Sequence, residues 1–431
     1  MKKTAIAAPL LLVLSVALIS CYGSSKYQNP SRLKFRAFVS NSLHPTTAGN
    51  VPAVEIMNAV NDRLTGAPIG LGGLTDAGAM DLSPNGTGTL VYSPSNNAFV
   101  LIDNATEKAL LSTASLPDST ESFFIAVDNL HAYAAVPNAQ VNQGQAPPGA
   151  IYQIDLSTGS ISAVIPVPHV HFLLQLDLGK KILAFSDNSS ECPLNTGAVT
   201  LITPANIGTN TDPRSPANCG FDHPVGAIAA IASQQAFVLE CGPECGGTSA
   251  AITAFDSSTG MVGTRIPVPA ATAGLLEGTT MFVAGSPPNA PCDSTTAATT
   301  CGRLTLVDLN QLAVTNTSDI LITDGYHTRL AMGAGGQLFI GARNCTKINV
   351  SGGEIRGCLS IFDTGTAKVV IPPNAGDVTG LAPIPQRTVV YVIQDGELRV
   401  FDTTTDALLP DHQTDIVGQL VDVKAVDKTL P

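Results

Sequence analysis

The sequence predicts an all-β protein, a β-propeller of eight four-stranded blades. Three observations carry this. The phrase IYQIDLSTGSISAVIPVP at 151–168 is rewritten at 252–269 as ITAFDSSTGMVGTRIPVP, an offset of 101 residues. Short apolar runs ending in Asp or a turn-compatible substitute recur eight times, which is the spacing of a propeller and not of a helical solenoid. Composition agrees: among 431 residues there are 39 Gly and 30 Pro, only 13% are charged, and no helix-like run of Lys, Glu and Leu is visible.

The eight runs are VEIMN (54–58), VLID (100–103), YQID (152–155), TLIT (200–203), TAFD (253–256), TLVD (305–308), SIFD (360–363) and RVFD (399–402). Their ends give a mean period of about 49 residues. Each is preceded by a second apolar strand that runs into a loop: RAFVSN (36–41), LVYSPS (90–95), AYAAVP (132–137), ILAFSD (182–187), AFVLEC (236–241), MFVAGS (281–286), LFIGAR (338–343) and VVYVIQ (389–394). A strand such as AVIPVP follows the Asp turn. Another, such as FFIAVD (123–128) or LLQLDL (173–178), completes the set of four. The doubled phrase is therefore a hairpin. In Asp-x-x-Thr-Gly the Asp caps backbone N–H groups and the Gly takes the left-handed position. A row of catalytic or metal-binding Asp is the rival reading, but Asn58 and Thr203 stand in the row and both still suit turns.

The unit phase also predicts closure. The chain enters on a second strand at 36–40 and leaves on an innermost strand, QLVDVKAV (419–426). The last strand should complete the first blade and remove a free edge. The last unit, VVYVIQDGELRVFDTTTDALL (389–409), resembles the YVTN-type repeat of bacterial extracytoplasmic, YncE-like propellers. That resemblance implies the propeller fold and an envelope setting. Family members commonly have seven blades, so seven is the fallback to the eight units counted.

The first residues read as an address. Lys2 and Lys3 precede an apolar stretch from Ala5 to Ile19, then Leu18-Ile19-Ser20-Cys21. This resembles a bacterial lipobox. The resemblance implies a signal peptide at 1–20, a lipidated Cys21 with a short tether over 21–34, and a single propeller domain from 35 to 431. It implies a membrane partner through the Cys21 lipid, and Tyr22 in place of Asp implies the outer membrane, facing the periplasm or the exterior. The net charge is −12, and −14 once Lys2 and Lys3 are removed. That opposes a nucleic-acid backbone.

Eight further cysteines stand at 192, 219, 241, 245, 292, 301, 345 and 358. An even number in an exported protein reads as disulfides. Three units hold a pair between their second and third strands: Cys241/Cys245, Cys292/Cys301 and Cys345/Cys358. Cys192 lies in that loop of unit 4, and Cys219 lies in its exit loop. Both loop types emerge on one face, so four local bridges on one rim are expected. A zinc site at Cys241-Gly-Pro-Glu-Cys245 is the rival.

The loops on that face are long in units 1 and 3 to 7, for example NAQVNQGQAPPGA (138–150) and SPPNAPCDSTTAATTCGR (286–303). His169, His171, His223 and His327 fall just before innermost strands, with Asp76, Glu121 and Asp377 at comparable points. A ring of these seven around the channel mouth would bind a metal or a polar ligand, or supply an acid–base pair; hydrated lining is the plainer reading. His44 is placed in a loop. No G-x-S-x-G, H-E-x-x-H or phosphate-loop motif is present. The sequence thus predicts a monomeric binding module for a ligand or an envelope protein, with no metal and no cofactor. A lactonase-like hydrolase or quinoprotein-type dehydrogenase at the channel mouth, or an envelope-structural role, are the alternatives.

Overall fold

The structure, a computed structural model, describes residues 30–427 apart from 65–66, 142–146, 231–233, 293–299, 347, 350–354 and 411–413. The expected signal peptide, Cys21 and most of the expected tether lie outside the described residues.

Eight antiparallel sheets of four strands succeed one another along the chain, and their innermost strands meet in ring order. Blade 1 is built from both ends of the chain. Its second and third strands are Arg36–Thr46 and Gly49–Asn58, and its innermost strand is Leu420–Ala425. The register Val39↔Val423 and Ser40↔Asp422 closes the ring as the repeat phase requires.

The sequence runs are apolar without alternation because each blade is buried on both faces. The second strand of blade 5, Gln235–Glu240, is buried from its second residue to its last. Accordingly there is no single core. Apolar clusters fill the seams between neighbouring blades: Tyr391, Val39 and Val423 pack between blades 8 and 1, and Phe339, Val378 and Phe401 between 7 and 8.

The Asp turns are structural. Asp155 Oδ1 accepts the N–H of Ser157 at 2.7 Å, and Gly159 sits at φ 72°. Asp256 does the same for Ser258 and Thr259, with Gly260 at 71°. Asp363 and Asp402 repeat the pattern, and these bonds hold all four carboxyls below their ordinary range. The four expected disulfides are present: Cys192–Cys219, Cys241–Cys245, Cys292–Cys301 and Cys345–Cys358.

One expected loop is not a loop. In blade 1 the two strands continue past Asn41 as a β-ribbon, and His44 lies on it, hydrogen-bonded through Nδ1 to the buried Glu55 at 2.7 Å. Alternating side chains can pair across a ribbon. The polar, Pro-containing stretch 42–52 hid this.

Candidate functional site: the disulfide-bearing face

The innermost strands share a device at this face. In five blades one residue near the start of the strand has no partner in the ladder: Val421, His171, Val225, Thr328 and Thr379. Such bulges bend a strand and re-aim a side chain, and they are common beside functional sites. They form the mouth of the channel.

Several of the seven candidates sit here as loop braces. Asp76 accepts from the hydroxyl of Ser93 and from the N–H and hydroxyl of Ser95, the latter at 2.6 Å. Asp377 accepts the N–H of Asn344 at 2.8 Å. The sequence did not single out two that do the same. Asp222 takes the N–H groups of Thr248 and Ser249, and Asp324 takes that of Thr346. Burial works against the Asp222 carboxylate, but the bonds from Thr248, His223 and Ser249 outweigh it and hold it well below the usual range. Aligning the residues just before each innermost strand would have found this set.

The histidines do not make a ring. His171 is a bulge residue whose Nε2 meets the Pro224 carbonyl at 2.7 Å. His223 leans on Asp222 at 3.1 Å. His169, at φ 50°, is tied by its backbone N–H to the Pro148 carbonyl. His327 is a correction: it is fully buried against Gly302, not at the mouth. Burial pushes its pKa down to about 4, with the Thr323 backbone opposing only weakly. The preceding Tyr326 is the residue that reaches the mouth. A one-residue shift changes the face of a strand, and the bulge at Thr328 makes that shift illegible in sequence.

Around Tyr326 gather Glu244, Asp187 and the exposed Glu121. Burial, then these three carboxylates in that order, raise its phenol to about 12. Glu244 stands in the short turn closed by Cys241–Cys245 and accepts the N–H of Ser286 in blade 6 at 2.7 Å. Burial raises its carboxyl to about 7. Among the described residues no group of three or more His, Cys, Asp or Glu is arranged to hold a metal.

Between blades 4 and 5, flanked by Cys192–Cys219 and Cys241–Cys245, lies a cleft of about 620 Å³. Asp187, Asn188, Thr196, His223, Thr248 and Arg265 are among its lining residues. Glycines 220, 246 and 247 leave backbone exposed within it. Arg265 is fixed by the buried Glu240 at 3.1 Å and by the Ser249 carbonyl at 2.9 Å. The cleft therefore presents fixed polar groups and open backbone, suited to a hydroxyl- or amide-bearing ligand.

No family model and no curated protein sequence matches the chain. Solved structures do resemble it. Hydrazine synthase of Kuenenia stuttgartiensis superposes with a TM-score of 0.52 at 13% identity, over 78% of this chain and 95% of that one. Dihydro-heme d1 dehydrogenase NirN in complex with DHE superposes with a TM-score of 0.62 at 12% identity, over 92% of this chain and 76% of that one. At such identity the likeness shows the propeller fold.

Proposed function

We propose that this chain is a lipid-anchored, extracytoplasmic propeller related to the YVTN-type proteins, and that it binds a small polar ligand in the cleft between blades 4 and 5. The observation that carries the reading is that cleft: two disulfides frame it, and its Arg265 is held by the buried Glu240. Rigid loops on a rigid scaffold are where binding residues concentrate. The lipobox-like Leu18–Cys21 stretch supports the anchor.

The test of the site is a thermal-shift screen of oligosaccharides, nucleosides and short peptides, followed by titration of each hit. Affinity is expected to fall at least tenfold in His223→Ala and in Asn188→Ala. Hits that keep full affinity in both variants, or a screen with no hits, would remove the cleft from consideration. For the anchor, metabolic labelling with an alkynyl fatty acid is expected to tag the wild type and not Cys21→Ala, which should stay in the soluble fraction. Equal labelling of both would overturn it.

One observation favours a second, enzymatic reading. A half-buried carboxyl with a pKa of about 7, such as Glu244, is poised for proton transfer at neutral pH. The two structural neighbours are by name a synthase and a dehydrogenase. The reading fails if hydrolase and dehydrogenase panels show no turnover that Glu244→Gln abolishes.

A further inference from the structure

We propose that the seam between blades 7 and 8, at the channel mouth, is an oxyanion site in which Arg329 and Arg343 hold the carboxylate or phosphate group of a small ligand. This is independent of the cleft between blades 4 and 5. Arg329 lies on the innermost strand of blade 7, Tyr326–Met332, and Arg343 ends the adjacent strand, Gln337–Arg343. The register pairs Tyr326 with Arg343 and, past the Thr328 bulge, Arg329 with Gly341. Residues two apart on a strand share a face, so the two arginines are diagonal neighbours on one face. The glycine between them makes room for Val378 of blade 8 beside the Arg329 stem. A Cβ at Gly341 would meet Val378 of blade 8 at 2.5 Å and the Arg329 Cβ at 3.3 Å.

Among the described residues neither guanidinium is in an ion pair. Arg329 spends Nε on the Thr379 carbonyl and Nη1 on the Thr328 carbonyl, both at 3.2 Å. Arg343 Nε is buried with no partner. Asp377 and Asp422 are close enough to favour the charged form of Arg343, but neither is in ion-pairing contact with it. Both carboxylates also accept other donors. Asp377 takes the Asn344 N–H, and Asp422 takes the N–H groups of Met80 and Val423 and the ammonium of Lys424 at 3.4 Å. Burial first, and then the Arg329 charge, push Arg343 below its ordinary value.

In a chain where 34 acidic residues face 22 basic ones, two adjacent unpaired arginines call for an explanation. A half-buried cation without a counter-charge is costly. Two guanidiniums side by side form a donor-only set that matches the paired oxygens of a carboxylate or phosphate. The hydroxyls of Thr328 and Thr379, on the residues whose carbonyls hold Arg329, are also buried without partners. They supply two further donors beside the pair.

The test uses the full folded chain with disulfides intact, titrated calorimetrically with inorganic phosphate, sulfate and acetate against chloride at constant ionic strength. Saturable binding is expected. It should be at least tenfold weaker in Arg343→Leu and in Arg329→Gln, and unchanged in Lys368→Gln, which removes an exposed cation elsewhere. Preference for phosphate and sulfate over acetate identifies a phosphate-bearing ligand; the reverse identifies a carboxylate. A second readout needs no anion. Because Arg343 is uncompensated, Arg343→Leu should raise the thermal midpoint in chloride alone. Absence of a saturable response beyond chloride overturns the site, as does equal binding in all four proteins. A lowered midpoint for Arg343→Leu together with an unchanged phosphate response would do the same.

Discussion

Asp62→Ala is expected to cost about 3–5 kcal/mol of unfolding free energy, the largest single effect foreseen in this chain. Asp62 lies in the turn after the third strand of blade 1, and its side chain is fully buried. Its carboxylate accepts from both Nη atoms of Arg387 and from the Tyr391 hydroxyl at 2.5 Å, and both partners belong to blade 8. The Thr414 hydroxyl holds its carbonyl, and Arg387 also reaches the Ala59 carbonyl at 2.7 Å. This is the seam where the ring closes. Truncation leaves a guanidinium and a phenol facing a carboxylate-sized hole. Removing one partner of a buried ion pair costs more than the pair contributes. Replacing both partners with apolar side chains, Asp62→Leu with Arg387→Met, should recover at least half of the loss. Urea unfolding of the two variants and the wild type reads this directly. A loss under about 1 kcal/mol in Asp62→Ala would mean that the seam rests on its apolar cluster alone.

The opposite seam of blade 1 is tied in a similar way. Arg36 donates to Asp427 through Nε and Nη2, both at 2.9 Å, and to Glu107 of blade 2 at 2.9 Å. Both flanks of the composite blade therefore carry arginine clamps. The innermost strand of that blade meets its neighbour strand through backbone pairing and a few side-chain bonds, such as Ser40 Oγ with the Asp422 N–H at 2.9 Å, and not through a hairpin. Polar locks at these two seams compensate for the missing hairpin.

The blade architecture was legible because its signals are local. Asp155–Gly159 and Asp256–Gly260 make the same turn from the same letters, and turns at a fixed period count the blades. The disulfides were legible because the repeat phase places each cysteine in a loop, so three pairs share a loop and the fourth is left over. The site was less legible, and for one physical reason. Its geometry is set across seams and through bulges, not along the chain. His327 and Thr328 differ by one position, yet the first is buried and the second bulges at the mouth. Arg329 and Arg343 become neighbours only through the register past that bulge. Glu244 acquires its raised pKa from burial in the turn closed by Cys241–Cys245, against the opposing N–H of Ser286 one blade away. Spacing in the sequence carries none of these.

Glu244 and His327 lead to the second large effect, a pair of opposite pH dependences. Glu244 titrates at about 7 in the folded chain against 4.5 when unfolded. Unfolded protein therefore binds fewer protons there, and stability falls as pH rises from about 4.5 to about 7. His327 titrates at about 4 folded against 6.5 unfolded. Unfolded protein binds more protons there, so stability is full above pH 6.5 and is lost as pH falls toward 4. Between pH 4.5 and 6.5 the two slopes cancel, because unfolding releases one proton at Glu244 and takes one up at His327. Each single variant should expose the other group. Glu244→Gln keeps an acceptor for the Ser286 N–H. It should match the wild type at pH 4 and exceed it at pH 8 by about 2 kcal/mol, after allowance for partial exposure. His327→Leu removes a fully buried imidazole. Its advantage over the wild type should be about 3 kcal/mol larger at pH 4 than at pH 8. Thermal midpoints of the three proteins across pH 4–8 test both. If the difference between Glu244→Gln and the wild type does not grow with pH, Glu244 is an ordinary solvated carboxylate, and the enzymatic reading built on it falls as well. If His327→Leu gains nothing in acid, the imidazole is already protonated in the folded chain and has a partner there.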